Sequence, residues 1–111
     1  GAKGCTVQTC SFRDNYDKLI SLNAIPVGIS TQTVADNKEM TSRLVIPFDI
    51  LSDENLELKN LLNLPIFIIN KKTYLKRLTL IVEKNIIKKV FYPIYSIDKH
   101  IEEILKWLQE N

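Results

Sequence analysis

Phe12, Tyr16, Leu19 and Ile20 fall at i, i+4, i+7 and i+8, an apolar stripe that predicts a helix over residues 8–22. Asp14, Asn15, Asp17 and Lys18 fill its other side, and Asn23 supplies a C-terminal stop. The run "IPVGIS" at 25–30 is short and apolar and reads as a buried strand. Thr33, with Asp36 three residues on, marks the start of a helix that runs to about Leu44. "FDIL" at 48–51 predicts another short strand. Ser52 and Asp53 open a leucine-rich turn of helix over 54–62, which Asn63 and Pro65 end. From Tyr74 the rhythm becomes extended. "YLKRLTLIV" and "IIKKVFYPI" read as an antiparallel hairpin closed by the polar turn "EKN". Ile97, Ile101, Ile104, Leu105 and Leu108 form the clearest helical face, over 97–109, with Ser96 placed to cap it.

The order is helix, strand, helix, strand, short helix, hairpin, helix. Alternation of this kind predicts an α/β fold with a mixed sheet flanked by helices, and a thioredoxin-like fold is the obvious candidate. Such a fold has a strand before its first helix, and none is visible here. No repeat or linker divides the chain, so residues 1–111 are expected to form a single domain.

Composition narrows the function without naming it. Fifteen Lys and Arg oppose thirteen Asp and Glu, a net charge of +2, and the lysines are scattered. No nucleic acid or other strongly charged partner is implied. The apolar runs are too short to cross a bilayer and no signal peptide is visible. A reducing, cytoplasmic setting follows as the expectation. There a close cysteine pair is more often catalytic or metal-binding than structural.

That pair is Cys5 and Cys10, in "GCTVQTC". A thiol reacts as thiolate, which a helix N-terminus stabilises through its free N–H groups and dipole. Cys5 lies at that point, and seven residues before Phe12 it falls on the core-facing side of the extended helix. Cys10 lies inside the helix, on the face of Asp14 and Asp17, and is expected to turn toward solvent. At i and i+5 of an intact helix the two Cα atoms stand roughly 8 to 9 Å apart. A disulfide needs about 4.4 to 6.8 Å, so bonding the pair requires the first turn to unwind. Inert burial of both thiols weighs about as much as chemistry on the residues alone. Zinc is a weaker rival, since His100 is the only histidine.

The segment "GCTVQTCSFRDNYDKL" resembles the stretch around the active cysteine of peroxiredoxins, most of all the atypical bacterioferritin-comigratory-protein-like branch. "VGIST", "IPFDILSDENLEL", "KRLTLIVEKNIIKKVFYPI" and "HIEEILKWL" follow in register. The resemblance implies a thioredoxin-fold thiol peroxidase acting on hydrogen peroxide or alkyl hydroperoxides. Cys5 matches the peroxidatic cysteine, which becomes a sulfenic acid. Cys10 matches the resolving cysteine, which closes an internal disulfide. Arg77 matches the active-site arginine, although by itself it reads as a surface strand residue equivalent to Lys76. The implied partners are the peroxide and a thioredoxin-like reductant, with no cofactor, metal, nucleic acid or membrane.

Two departures accompany the resemblance. Ala2 stands where the family's motif has Thr, and the motif's Pro would lie before residue 1. The strands that precede this helix in family members have no counterpart, so the fold expected is N-terminally truncated. Two other functions fit the cysteines. A thioredoxin-type thiol–disulfide oxidoreductase would usually show two residues between its cysteines, against four here. A remnant with inert thiols would reduce peroxide no faster than free thiol.

Overall fold

The computed structural model describes residues 3–111, with side chains from Val7 onward. The chain begins with helix α1 (Lys3–Asp14) and continues after one residue as α2 (Tyr16–Ser21). The expected helix thus starts earlier and is broken at Asn15. Both the backbone N–H and the side-chain amide of Asn15 donate to the Ser11 carbonyl, at 3.2 and 2.8 Å. An Asn that bonds back to the preceding turn competes with the helical ladder. Asn23 ends α2 as expected. It takes the left-handed conformation (φ 62°), donating to the Ile20 carbonyl while Ala24 donates to that of Leu19. These two bonds form a Schellman motif.

Next come β1 (Gly28–Ser30), α3 (Val34–Arg43) and β2 (Ile50–Ser52), a parallel pair joined through a helix. Pro26 lacks the N–H a ladder needs, which keeps β1 shorter than the run 25–30. Thr33 caps α3 as predicted, its hydroxyl accepting from the Asp36 N–H at 3.2 Å. A second Schellman motif ends α3, with Ile46 donating to Thr41 and Val45 to Ser42. It places Val45, which is β-branched, at φ 53°.

Helix α4 (Glu57–Leu62) is shorter than the expected 54–62. Leu56, at φ 59°, turns the chain before it. Asp53 caps it from a distance, its carboxylate accepting from the N–H groups of Leu58 and Lys59 at 2.9 Å each. Pro65 then leads into β3 (Ile66–Ile69) and β4 (Lys72–Leu75), a hairpin that the periodicity does not predict. Its turn residues Asn70 and Lys71 both have positive φ, as a two-residue type I′ turn requires. Tyr74 and Leu75 therefore belong to this hairpin and not to the one that follows.

The expected second hairpin is β5 (Thr79–Glu83) and β6 (Ile86–Phe91), turning at Lys84 and Asn85, again both at positive φ. A bulge at Lys88 shifts its register. Helix α5 (Ile97–Glu110) closes the chain. Ser96 holds the N-cap position, but its side chain makes no capping hydrogen bond.

Parallel and antiparallel pairing both occur, as a mixed arrangement implies. Among the described residues they form three separate two-stranded ladders, not one continuous sheet. The core lies between α2 and α5, where Leu19, Ile101 and Ile104 are buried and Phe12, Ile81, Phe91 and Leu105 pack around them. Much strand surface stays open: Ile68, Val82, Ile86 and Val90 are each more than half exposed. No described helix is long and apolar enough to cross a membrane.

Candidate active site

Cys5 falls in the first turn of α1 as the helix's third residue. Backbone N–H groups at this position have no partner within the helix, and the dipole there favours an anion. Its side chain, and so its distance from Arg77, lies outside the described residues, as does all of Ala2. Cys10 is a free thiol in the same helix, half-buried and not turned fully to solvent as its helical face suggested. Residues 5 to 10 are helical without a break. At this spacing an intact helix keeps the two Cα atoms beyond disulfide range.

Arg77 is not on a strand. It sits in the three-residue connection 76–78 between β4 and β5, so strand alternation does not separate it from Lys76. Burial does. Lys76 is exposed, whereas Arg77 is half-buried and its Nε is fully enclosed without a hydrogen-bond partner among the described residues. Arg77 opens onto a cleft of about 420 Å³ walled by Phe67, Leu75, Tyr92, Pro93 and Ile94, which Lys76 also lines. Cys10 does not line it. A guanidinium offers five N–H donors and keeps its charge at any working pH. In a cleft with mostly apolar walls it is suited to hold an oxygen that carries or develops negative charge.

One buried residue near Arg77 has a role that the sequence does not signal beyond metal binding. His100 is 3% exposed, and its Nε2 lies 2.7 Å from Thr79 Oγ1. It meets the rings of Phe12 and Phe91 edge-on, with centroids at 6.4 and 5.4 Å. Burial lowers its pKa below the usual 6.5, while the Glu103 carboxylate works weakly the other way. Its position between Ile97 and Ile104 on the α5 stripe signals this burial. Among the described residues no group of three or more His, Cys, Asp or Glu side chains could hold a metal ion.

Residues 1–90 match the AhpC/TSA family, and the matched segment contains Cys5, Cys10 and Arg77. The chain belongs to this family. Within the AhpC/TSA proteins it falls in the peroxiredoxin Q, or bacterioferritin comigratory protein, branch. It is 35% identical over 107 residues to the chloroplastic peroxiredoxin Q of Oryza sativa subsp. japonica, covering 96% of this chain and 48% of that one. A chloroplastic peroxiredoxin Q of Sedum lineare is also 35% identical, with 96% and 56% covered. The chain thus spans about half the length of these relatives. Among solved structures it resembles the peroxidoxin BcpB of Mycobacterium tuberculosis, with a TM-score of 0.86 at 24% identity over 98% of this chain and 71% of that one. Xylella fastidiosa PrxQ gives 0.86 at 17% identity, over 99% and 70%. These likenesses establish the thioredoxin-type fold that the order of elements led us to expect.

Proposed function

We propose that this AhpC/TSA protein is a thiol-dependent peroxidase, with hydrogen peroxide or small organic hydroperoxides as substrates. The observation that carries the reading is the enclosed, unpartnered Nε of Arg77 beside a cleft with mostly apolar walls. Leaving such a donor unsatisfied costs roughly 1 to 3 kcal/mol, a cost more readily retained where a ligand supplies the missing acceptor.

The Cys5 thiolate attacks the terminal oxygen of the peroxide. The O–O bond breaks, the leaving oxygen takes a proton and departs as water or alcohol, and Cys5 becomes a sulfenic acid. Arg77 holds the peroxide and stabilises the charge that grows on the leaving oxygen. The Cys10 thiol then attacks the Cys5 sulfur and expels water, forming an internal disulfide. For this the helical turn between them must open, since the intact helix holds them too far apart. A thioredoxin-like dithiol returns both cysteines to thiols by exchange. Such a cycle needs a reducing compartment, of which the cytoplasm is the simplest.

The test is peroxide consumption coupled to a thioredoxin system, run beside reduction of insulin disulfides. Rapid peroxide loss with little insulin reduction is expected. Insulin reduction without peroxide loss would favour a thiol–disulfide oxidoreductase. Peroxide loss no faster than with free thiol would mark the cysteines as inert.

A further inference from the structure

Arg77 makes no hydrogen bond through its own Nε among the described residues, and the backbone that carries it is held by its neighbours. The connection 76–78 is pinned at both ends. At one end the Lys76 N–H donates to the Pro65 carbonyl at 2.9 Å. At the other Thr79 Oγ1 meets His100 Nε2 at 2.7 Å.

The same imidazole meets two aromatic rings on other segments. Phe12, edge-on to it, lies on α1 two residues beyond Cys10. Phe91, also edge-on, ends β6 and is followed directly by Tyr92, Pro93 and Ile94, which wall the Arg77 cleft. We infer that His100 is a positioning residue, whose ring ties the cysteine-bearing helix to the segments that carry Arg77 and the cleft wall. This rests on the peroxidase reading of that site.

A leucine at this place on the α5 stripe would fill the space beside Ile101 and Ile104 without burying a polar group. The imidazole does what a leucine cannot. Its hydrogen bond to Thr79 fixes the ring plane, and the fixed plane sets the edge-on contacts with both phenyl rings. Glu103 lies on the same helix as His100, and the Lys89 ammonium on β6 stands over the Phe91 ring at 5.5 Å. From α1 and β5 the imidazole is faced by Phe12 and Thr79, which carry no charge. Burial keeps the ring neutral at neutral pH. In the tautomer whose Nε2 accepts from Thr79, adding a proton makes Nε2 a donor, and the Thr79 hydroxyl must then accept from it.

The experiment follows the Arg77 Nε–H resonance and the His100 ring carbons of the full chain by NMR through an acid titration. A step in the Arg77 signal at the His100 midpoint is expected. It should vanish in His100→Gln and in Thr79→Val. No step in the unmutated protein overturns the inference. So does a step that survives in Thr79→Val, since the proton would then act through space and not through the bond.

A second arm measures thiol oxidation by one equivalent of hydrogen peroxide. Thr79→Val and His100→Leu should each slow it roughly tenfold or more, in line with the about 10²-fold cost of a 1 Å misplacement. His100→Gln, which keeps a polar atom near the Nε2 position, should restore most of the rate. Equal losses in His100→Gln and His100→Leu overturn the inference, because they mark simple core packing. If the unmutated protein oxidises no faster than free thiol at any pH, the peroxidase reading fails. The NMR arm then still decides whether the ring is linked to Arg77.

Discussion

Arg77→Met should separate activity from stability in opposite directions. Methionine keeps most of the unbranched stem and its packing, and removes the guanidinium. In the folded protein that group has an enclosed Nε with no partner. An unsatisfied buried donor costs roughly 1 to 3 kcal/mol, while the exposed part of the guanidinium loses only water contacts. The substitution should therefore stabilise the resting protein by about 1 kcal/mol, a rise of roughly 4 °C in melting temperature for a chain of this size. Peroxide reduction should fall by about 10² to 10³, the cost of losing one donor aimed at developing negative charge. Lys76→Met, at an exposed neighbour, should change the rate by no more than about twofold and the stability by no more than about 0.5 kcal/mol. Stopped-flow oxidation with hydrogen peroxide and thermal melts of the reduced proteins give both quantities. A variant that is both less stable and nearly as active would show Arg77 to be structural, and the reasoning from its orphaned nitrogen would fail.

Cys5→Ser should abolish oxidation by one equivalent of peroxide. Cys10→Ser should retain one fast turnover and then stall with a sulfenic acid that dimedone traps, and mass spectrometry reversing that order would reverse the roles of the two thiols. Val45→Gly should stabilise the protein by about 1 kcal/mol in denaturant unfolding, because the Schellman turn holds a β-branched residue at φ 53°; an unchanged midpoint would refute the strain. Asp53→Ala should cost roughly 1 to 2 kcal/mol, since it frees two N–H groups at the start of α4; a loss under about 0.5 kcal/mol would show that water replaces the cap. The folded-state pKa of His100 lies below its ordinary 6.5, so the folded protein binds fewer protons than the unfolded chain. Its contribution is complete above about pH 6.5 and is lost as pH falls toward the folded value. Melts of the unmutated protein and His100→Gln should therefore converge on acidification, and a constant gap from about pH 8 to 5 would contradict this.

Elements announced by their own local chemistry were legible in the chain. Thr33 with Asp36, Asn23 as a stop and the apolar face of α5 each act within a few residues. The first hairpin was not legible, for a physical reason. "IFIINKKTYL" has apolar residues on both faces of β3, so no alternation marks it, and its turn is Asn-Lys where Asn-Gly would be the strong signal. Once β3 claims Tyr74 and Leu75 as partners, with Tyr74 opposite Phe67, the following strand must begin later, at Thr79. That single missed pairing moved Arg77 from a strand into a connection.

The same displacement explains why the site itself was only half legible. Periodicity assigns a face to a residue inside an element, and residues 76–78 belong to none. In composition Lys76 and Arg77 are near equivalents. The fold makes one a solvated rim cation and encloses the Nε of the other, and only contacts between distant segments decide which is which. His100 is the converse case. Its stripe position on α5 predicts burial, but burial of a polar ring demands a partner, and that partner, Thr79, is 21 residues away. Thr79 begins the strand whose start the missed hairpin had shifted. The identity of the buried ring's partner and the placement of Arg77 are therefore one structural question. The pairing of β3 with β4 answers it, by ending β4 at Leu75 and leaving only Arg77 and Leu78 between the pinned Lys76 and Thr79.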